Sequence, residues 1–98
     1  MAGHSGESNN LLEMFVYILR SIRDGKLYIG QSSDVESRLE RHNAGLVVST
    51  RHRTPFELIC SKKFDNRSEA VNMERYLKSL KGGNGFKKMI KQWGVAKW

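Results

Sequence analysis

The sequence is poor in the residues that build cross-links and metal clusters. Its single cysteine, Cys60, excludes a disulfide within the chain, and no Cys/His cluster with zinc-ligand spacing is present. Cys60 lies in an apolar run, which favours a packed thiol over a nucleophile. No apolar run approaches the roughly 18 residues of a membrane span, and we see no secretory signal. We therefore expect a reducing, cytoplasmic setting.

Acidic residues are few relative to basic ones. Lys and Arg total 17 against 10 Asp and Glu, a formal net charge of +7. Such an excess favours an anionic partner, of which nucleic acid is the commonest, with a solvated basic surface as the alternative. The length of 98 residues fits one domain with a modest core. We expect a disordered lead or an expression remnant over residues 1–13 and a folded domain over 14–98.

Three short segments rich in β-branched and aromatic residues predict strands. They cover residues 14–20, 26–30 and 55–64, and Asp24-Gly25 is a strong tight-turn signal between the first two. The first pair therefore forms an antiparallel hairpin. Together the segments predict an α+β domain, a three-stranded antiparallel sheet flanked by helices.

The remaining apolar residues recur at helical spacing. Ser32, Ser33 and Asp34 are N-cap candidates for a first helix, and among them Ser33 fits a capping box with Glu36. Asn66 or Ser68 fits the cap of a second helix. The segment over 46–54 reads as a polar loop or short helix. The helices are predicted over about 34–42, 66–80 and 86–93.

Two tyrosines and two charged helical residues follow one another in an informative order. Tyr17 ends Phe15-Val16-Tyr17, Tyr28 begins Tyr28-Ile29-Gly30, and Arg38 and Glu74 follow on the two helices. Over about residues 14–92 this set resembles the GIY-YIG endonuclease superfamily, and its small single-domain members in particular. The resemblance implies hydrolysis of DNA phosphodiesters with one divalent metal, Mg²⁺ or Mn²⁺. Phe15 departs from the glycine of the family's first motif, and Gln31 follows the second where some relatives have lysine.

Arg38 and Glu74 can be interpreted from chemistry alone. Arg38 borders the buried stripe of its helix, where a guanidinium could bind two phosphate oxygens and stabilise the charge of a transition state. The alternative is a solvated arginine paired with Asp34. Glu74 also borders an apolar stripe, where a carboxylate is costly unless it is paired or binds a cation. It is either the metal ligand, as the resemblance implies, or a partner for Lys78.

The base that activates water has three candidates. The resemblance makes Tyr28 the leading one, with Tyr17 lining the same pocket in support, although a strand tyrosine usually serves packing. His42, with an unperturbed pKa near 6.5, is the third, or else a residue that interacts with the helix dipole. Gly30 is expected to permit a close approach through its missing Cβ. Asn84 matches the family's late supporting asparagine, or is an ordinary turn residue.

Basic residues outside this set are expected to contact DNA phosphates without reading sequence. The predicted activity is that of a metal-dependent DNA endonuclease in repair or recombination. Two alternatives stay open: a non-catalytic nucleic-acid-binding module, and an interaction subunit whose protein partner supplies specificity. The predicted nucleic-acid contacts are Arg51, Arg53, Lys62, Lys63, Lys87, Lys88 and Lys91.

Overall fold

The computed structural model describes residues 13–80 and 83–94, so the predicted lead lies outside the described residues except for Glu13. Three strands, β1 (Met14–Ser21), β2 (Leu27–Ser32) and β3 (Phe56–Phe64), form one antiparallel sheet in the order β2-β1-β3. The predicted sheet is confirmed. The Asp24 carboxylate shapes the β1–β2 turn by accepting from the Lys26 N–H at 2.8 Å, and Gly25 there has φ 75°.

Helices cover both faces of the central strand, which is why β1 is apolar almost throughout. Val16 and Ile18 face a core layer that includes Ala70, Leu77 and two residues further along the chain, Phe86 and Ile90. Tyr17 and Leu19 face the opposite side. The sheet is therefore supported by a packed layer on each of its faces.

The helices are α1 (Val35–Asn43), α2 (Arg67–Ser79) and α3 (Asn84–Lys91), with a 3₁₀ turn at Arg51–Arg53. Asn66 caps α2 as predicted, accepting from the Glu69 N–H at 2.9 Å. The predicted Ser33 cap of α1 was wrong. Asp34 has the extended backbone of a cap residue and accepts from the Ser37 N–H at 3.1 Å, which leaves Ser33 one position too early. Every helix within the described ranges is too short and too polar to span a bilayer.

The last residue of α1 is tied to the first residue of β3. The Asn43 side-chain amide donates to the Phe56 carbonyl at 3.1 Å, and its oxygen accepts from the Phe56 N–H at 2.7 Å. One side chain thus satisfies both backbone groups of Phe56, as a neighbouring strand would.

Cys60 behaves as a packed thiol. It is half-buried against the core on β3, and burial raises its pKa to about 11. The thiol is therefore protonated at neutral pH and is a poor nucleophile.

Candidate active site

Tyr17 crosses the edge strand at Gly30. The two residues are directly paired across β1 and β2, and the tyrosine ring lies over the glycine. A Cβ built on Gly30 would lie 2.6 Å from the Tyr17 hydroxyl oxygen. The close approach expected at this glycine is confirmed, and it lets the phenol reach the edge of the sheet.

We expect Gly30→Ala to lower the free energy of unfolding by about 1–3 kcal/mol, because the methyl group would displace a phenol that is 1% exposed. Chemical denaturation measures this. Gly85→Ala is the matched control, since its added Cβ would lie 3.6 Å from Leu80, an ordinary contact. Equal stability of the Gly30→Ala and wild-type proteins would contradict the close packing of Tyr17.

A buried chain of polar groups leads from Tyr17 into the protein. The Tyr17 hydroxyl lies 3.2 Å from His42 Nε2, and His42 Nδ1 lies 2.8 Å from Thr50 Oγ1. The Thr50 hydroxyl donates to the Val47 carbonyl at 3.5 Å. A hydroxyl that donates to a carbonyl accepts from the imidazole, so Nδ1 carries the proton and Nε2 is the acceptor that faces Tyr17.

Burial sets the protonation of this chain. Burial, followed by the positive charge of Arg38, lowers the pKa of His42 below its ordinary 6.5, so the ring is neutral at pH 7. Burial also raises the pKa of Tyr17, and Arg38 beside the hydroxyl opposes the rise. Tyr28 and Glu74 add to the Tyr17 rise through their charges. Arg38, Tyr28 and Glu74 thus all lie within electrostatic reach of one phenol.

Tyr28 lies close to both His42 and Tyr17 and packs against them through its ring. Its ring centroid lies 4.9 Å from that of His42 and 6.3 Å from that of Tyr17. No hydrogen bond links Tyr28 to His42 among the described residues. The structure therefore distinguishes the two tyrosines, because Tyr17 has the imidazole as a polar partner and Tyr28 packs against the same ring in a T-shaped arrangement.

Arg38 carries an unused donor. It is half-buried on α1, and its Nε is buried with no hydrogen-bond partner within residues 13–80 and 83–94. A buried donor without a partner costs about 1–3 kcal/mol. The planar guanidinium of this side chain matches the geometry of a phosphate.

Glu74 reaches the site from α2, on the other face of the sheet. Its Oε1 accepts from Gln31 Nε2 at 2.8 Å and its Oε2 pairs with Lys78 Nζ at 2.8 Å. The ion pair considered as an alternative is therefore present. The side chain is 18% exposed, which leaves the carboxylate accessible.

These surroundings fit a hydrated divalent cation better than a dehydrated one. Within the described residues no three His, Cys, Asp or Glu side chains form a cage. Glu74 opens on a cavity of about 230 Å³, and the Gln31 Oε1 is a buried acceptor without a partner in that part of the chain. One carboxylate with an adjacent oxygen acceptor suits Mg²⁺ or Mn²⁺, which keep several waters.

The structure does not join the other predicted residues to this group. Asn84 is exposed at the start of α3 and makes no hydrogen bond to Tyr17, Arg38 or Glu74 in the described residues. Arg53 is engaged elsewhere, pairing with Asp24 at 3.0 Å and lying over the Phe56 ring. The remaining predicted DNA contacts are exposed and lie on the 3₁₀ turn, on β3 and on α3: Arg51, Lys62, Lys63, Lys87, Lys88 and Lys91.

The sequence did not predict the contact of Gln31 with Glu74 or that of Thr50 with His42. Gln31 stood out only as a departure from relatives with lysine, although its place next to Gly30 on an edge strand was a usable signal. Thr50 lies in a polar segment where nothing in the pattern marks it, and only the fold brings it to His42.

Comparison with known proteins agrees with this geometry. Residues 13–87 match the GIY-YIG catalytic domain family. A UPF0213 protein of Oceanobacillus iheyensis is 46% identical over 67 residues, covering 67% of this chain and 77% of the relative. A UPF0213 protein of Natronomonas pharaonis is 43% identical over 67 residues, covering 67% and 78%.

A solved structure shares the fold as well. The solution NMR structure of a UPF0213 protein from Bacillus halodurans aligns with a TM-score of 0.52 and 30% identity, over 87% of this chain and 88% of that one. The match to the family's catalytic domain spans most of the chain and includes Tyr17, Tyr28, Arg38 and Glu74. The chain belongs to the GIY-YIG family, a family of nucleases, as a small single-domain relative of the UPF0213 proteins.

Proposed function

We propose that this protein is a metal-dependent DNA endonuclease that hydrolyses phosphodiester bonds. The observation that best supports the proposal is that two unlike charges, the Arg38 guanidinium and the Glu74 carboxylate, both lie within electrostatic reach of the Tyr17 phenol. An unpartnered donor on Arg38 suits a phosphate, and an accessible carboxylate suits a cation. A surface that only bound nucleic acid would not need both.

The hydrogen-bond chain favours Tyr17 over Tyr28 as the base. As the Tyr17 oxygen takes a proton from the attacking water, its own proton passes to His42 Nε2 over the 3.2 Å hydrogen bond. The imidazole keeps its Nδ1 proton, which stays hydrogen-bonded to Thr50 Oγ1, so the orientation of the ring does not change. Arg38 donates to the phosphate, whose negative charge also offsets the repulsion between Arg38 and the protonated imidazole.

Glu74 would hold the cation in this scheme, with Gln31 beside it. A bound Mg²⁺ or Mn²⁺ supplies positive charge that polarises the phosphate and stabilises the leaving 3′ oxygen. We therefore expect products with 5′-phosphate and 3′-hydroxyl ends. A minimal domain has little surface for long sequence-specific contacts, so we favour branched, nicked or damaged DNA, as met in repair or recombination, as the substrate.

A cleavage panel tests the function directly. Duplex, single-stranded, flapped and junction DNA are incubated with the purified protein in Mg²⁺, Mn²⁺ or a chelator. We expect cutting of at least one substrate with a metal ion and none with the chelator. Without the cation, the negative Glu74 carboxylate supplies no positive charge to the phosphate. Salt-sensitive DNA binding without cleavage in either metal would instead identify a non-catalytic binding module. Absence of both would point to an interaction subunit.

A further inference from the structure

Only one of the two polar atoms of the Gln31 side-chain amide has a hydrogen-bond partner among the described residues. Its Nε2 donates to Glu74 Oε1 at 2.8 Å, while its Oε1 is buried and has no partner among the described residues. Gln31 follows Gly30 on β2, and it faces α2 because the side chains of a strand alternate between faces. The amide therefore lies at the edge of the sheet, between the glycine under Tyr17 and the helix that carries Glu74.

The chemistry of the pair fixes which way the amide points. A flipped amide would set its oxygen against the carboxylate oxygen, so Nε2 must face Glu74 and Oε1 must point away. Both atoms belong to one small planar group, so the free oxygen stays beside the carboxylate. A buried acceptor left without a donor is unfavourable. The bond from Nε2 to Glu74 is therefore the contact that holds the amide in this orientation.

The other partner of Glu74 differs in kind. Lys78 is 57% exposed, and its contact with Glu74 joins residues four apart on one helix. Exposed pairs of this type contribute little to stability. A cation that approaches Glu74 can therefore replace the ammonium at little cost, whereas Gln31 is anchored on the sheet.

We propose that Gln31 is the positioning residue of the cation site. Its Nε2 donates to Glu74 Oε1 and so orients the carboxylate for the divalent ion. Lys78 is the partner that the ion displaces. This inference rests on the proposed function, because it assumes that Glu74 binds the metal. Groups that orient a ligand in this way typically change metal affinity about 10–100-fold when they are removed.

Binding of Mn²⁺ alone to the full chain tests the inference, with free Mn²⁺ followed by electron paramagnetic resonance. Gln31→Met keeps the length of the side chain and removes both polar atoms, so we expect affinity to fall about tenfold. Gln31→Glu keeps the shape and adds a second carboxylate, so we expect binding at least as tight as wild type. Lys78→Met removes the partner that the ion displaces, so we expect binding at least as tight as wild type.

Glu74→Gln distinguishes an error in the proposed cation site from an error in the role of Gln31. If that variant binds Mn²⁺ like the wild type, the cation site of the proposed function is wrong. If it loses binding while Gln31→Met keeps wild-type affinity, only the role of Gln31 is wrong. Unfolding in the presence of a chelator accompanies each measurement, because a purely structural role would lower stability without altering the affinity of the folded protein.

Discussion

Glu74→Gln is expected to lower metal-dependent DNA cutting by roughly 10³-fold or more, since the metal supplies several kcal/mol of charge stabilisation in such reactions. The substitution keeps the shape of the side chain and an oxygen that can still accept from Gln31 Nε2. It removes the negative charge that a divalent cation requires. Single-turnover cleavage in saturating Mg²⁺ measures the loss.

The control for this variant lies on the same helix. Glu69→Gln makes the same chemical change five residues nearer the start of α2, at an exposed position, and should leave cutting unchanged. DNA affinity should be largely kept in both variants, because the predicted phosphate contacts are basic residues. Undiminished cutting by a clean preparation of Glu74→Gln would contradict the proposal that Glu74 binds the metal ion used in cleavage.

Tyr17→Phe is expected to lower the cleavage rate by about 10²–10⁴-fold, the range over which a general base contributes. The ring remains over Gly30, and only the hydroxyl that contacts His42 is lost. His42→Gln should lower the rate by a similar amount, because the two side chains pass one proton between them. Their double variant should be little worse than either single one, as is found for groups that act as a unit.

The same pair predicts a pH dependence. The wild-type rate should fall on acidification only below pH 6.5, because burial lowers the pKa of His42 and a protonated Nε2 can no longer accept the Tyr17 proton. Rates measured from pH 5 to pH 8 at constant metal concentration show the inflection. His42→Gln should lose it.

Tyr28→Phe is the comparison that decides between the two tyrosines. Tyr28 touches His42 through its ring, and that contact survives the substitution, so we expect a smaller loss than for Tyr17→Phe. The reverse order of effects would return the role of base to Tyr28. Tyr76→Phe, on the exposed face of α2, serves as a neutral reference.

The fold could be predicted because its signals are local. The Asp24-Gly25 turn, the apolar β1 segment and the Asn66 cap each depend on neighbouring residues, and the structure contains all three. The cap of α1 was misplaced because Ser33 and Asp34 are both good cap residues. Only the backbone angles, extended at Asp34, decide between them.

The site was harder to predict because its contacts join distant segments. Gln31 and Glu74 are 43 positions apart, and nothing in either segment announces the other. Thr50 reaches His42 only because the segment after α1 turns back before β3 begins. Single residues with a chemical role could be named from their order, but their partners required coordinates.

The double hydrogen bond of Asn43 to Phe56 has a mechanical consequence. Arg38 and His42 project from a helix whose far end is fastened to the sheet, so that helix cannot swing outward without stranding two main-chain groups. If the protein acts on DNA as proposed, the guanidinium and the imidazole are already in place before it binds. Recognition would then consist of the nucleic acid bending to fit a rigid template, and flexible or interrupted duplexes would fit it most easily.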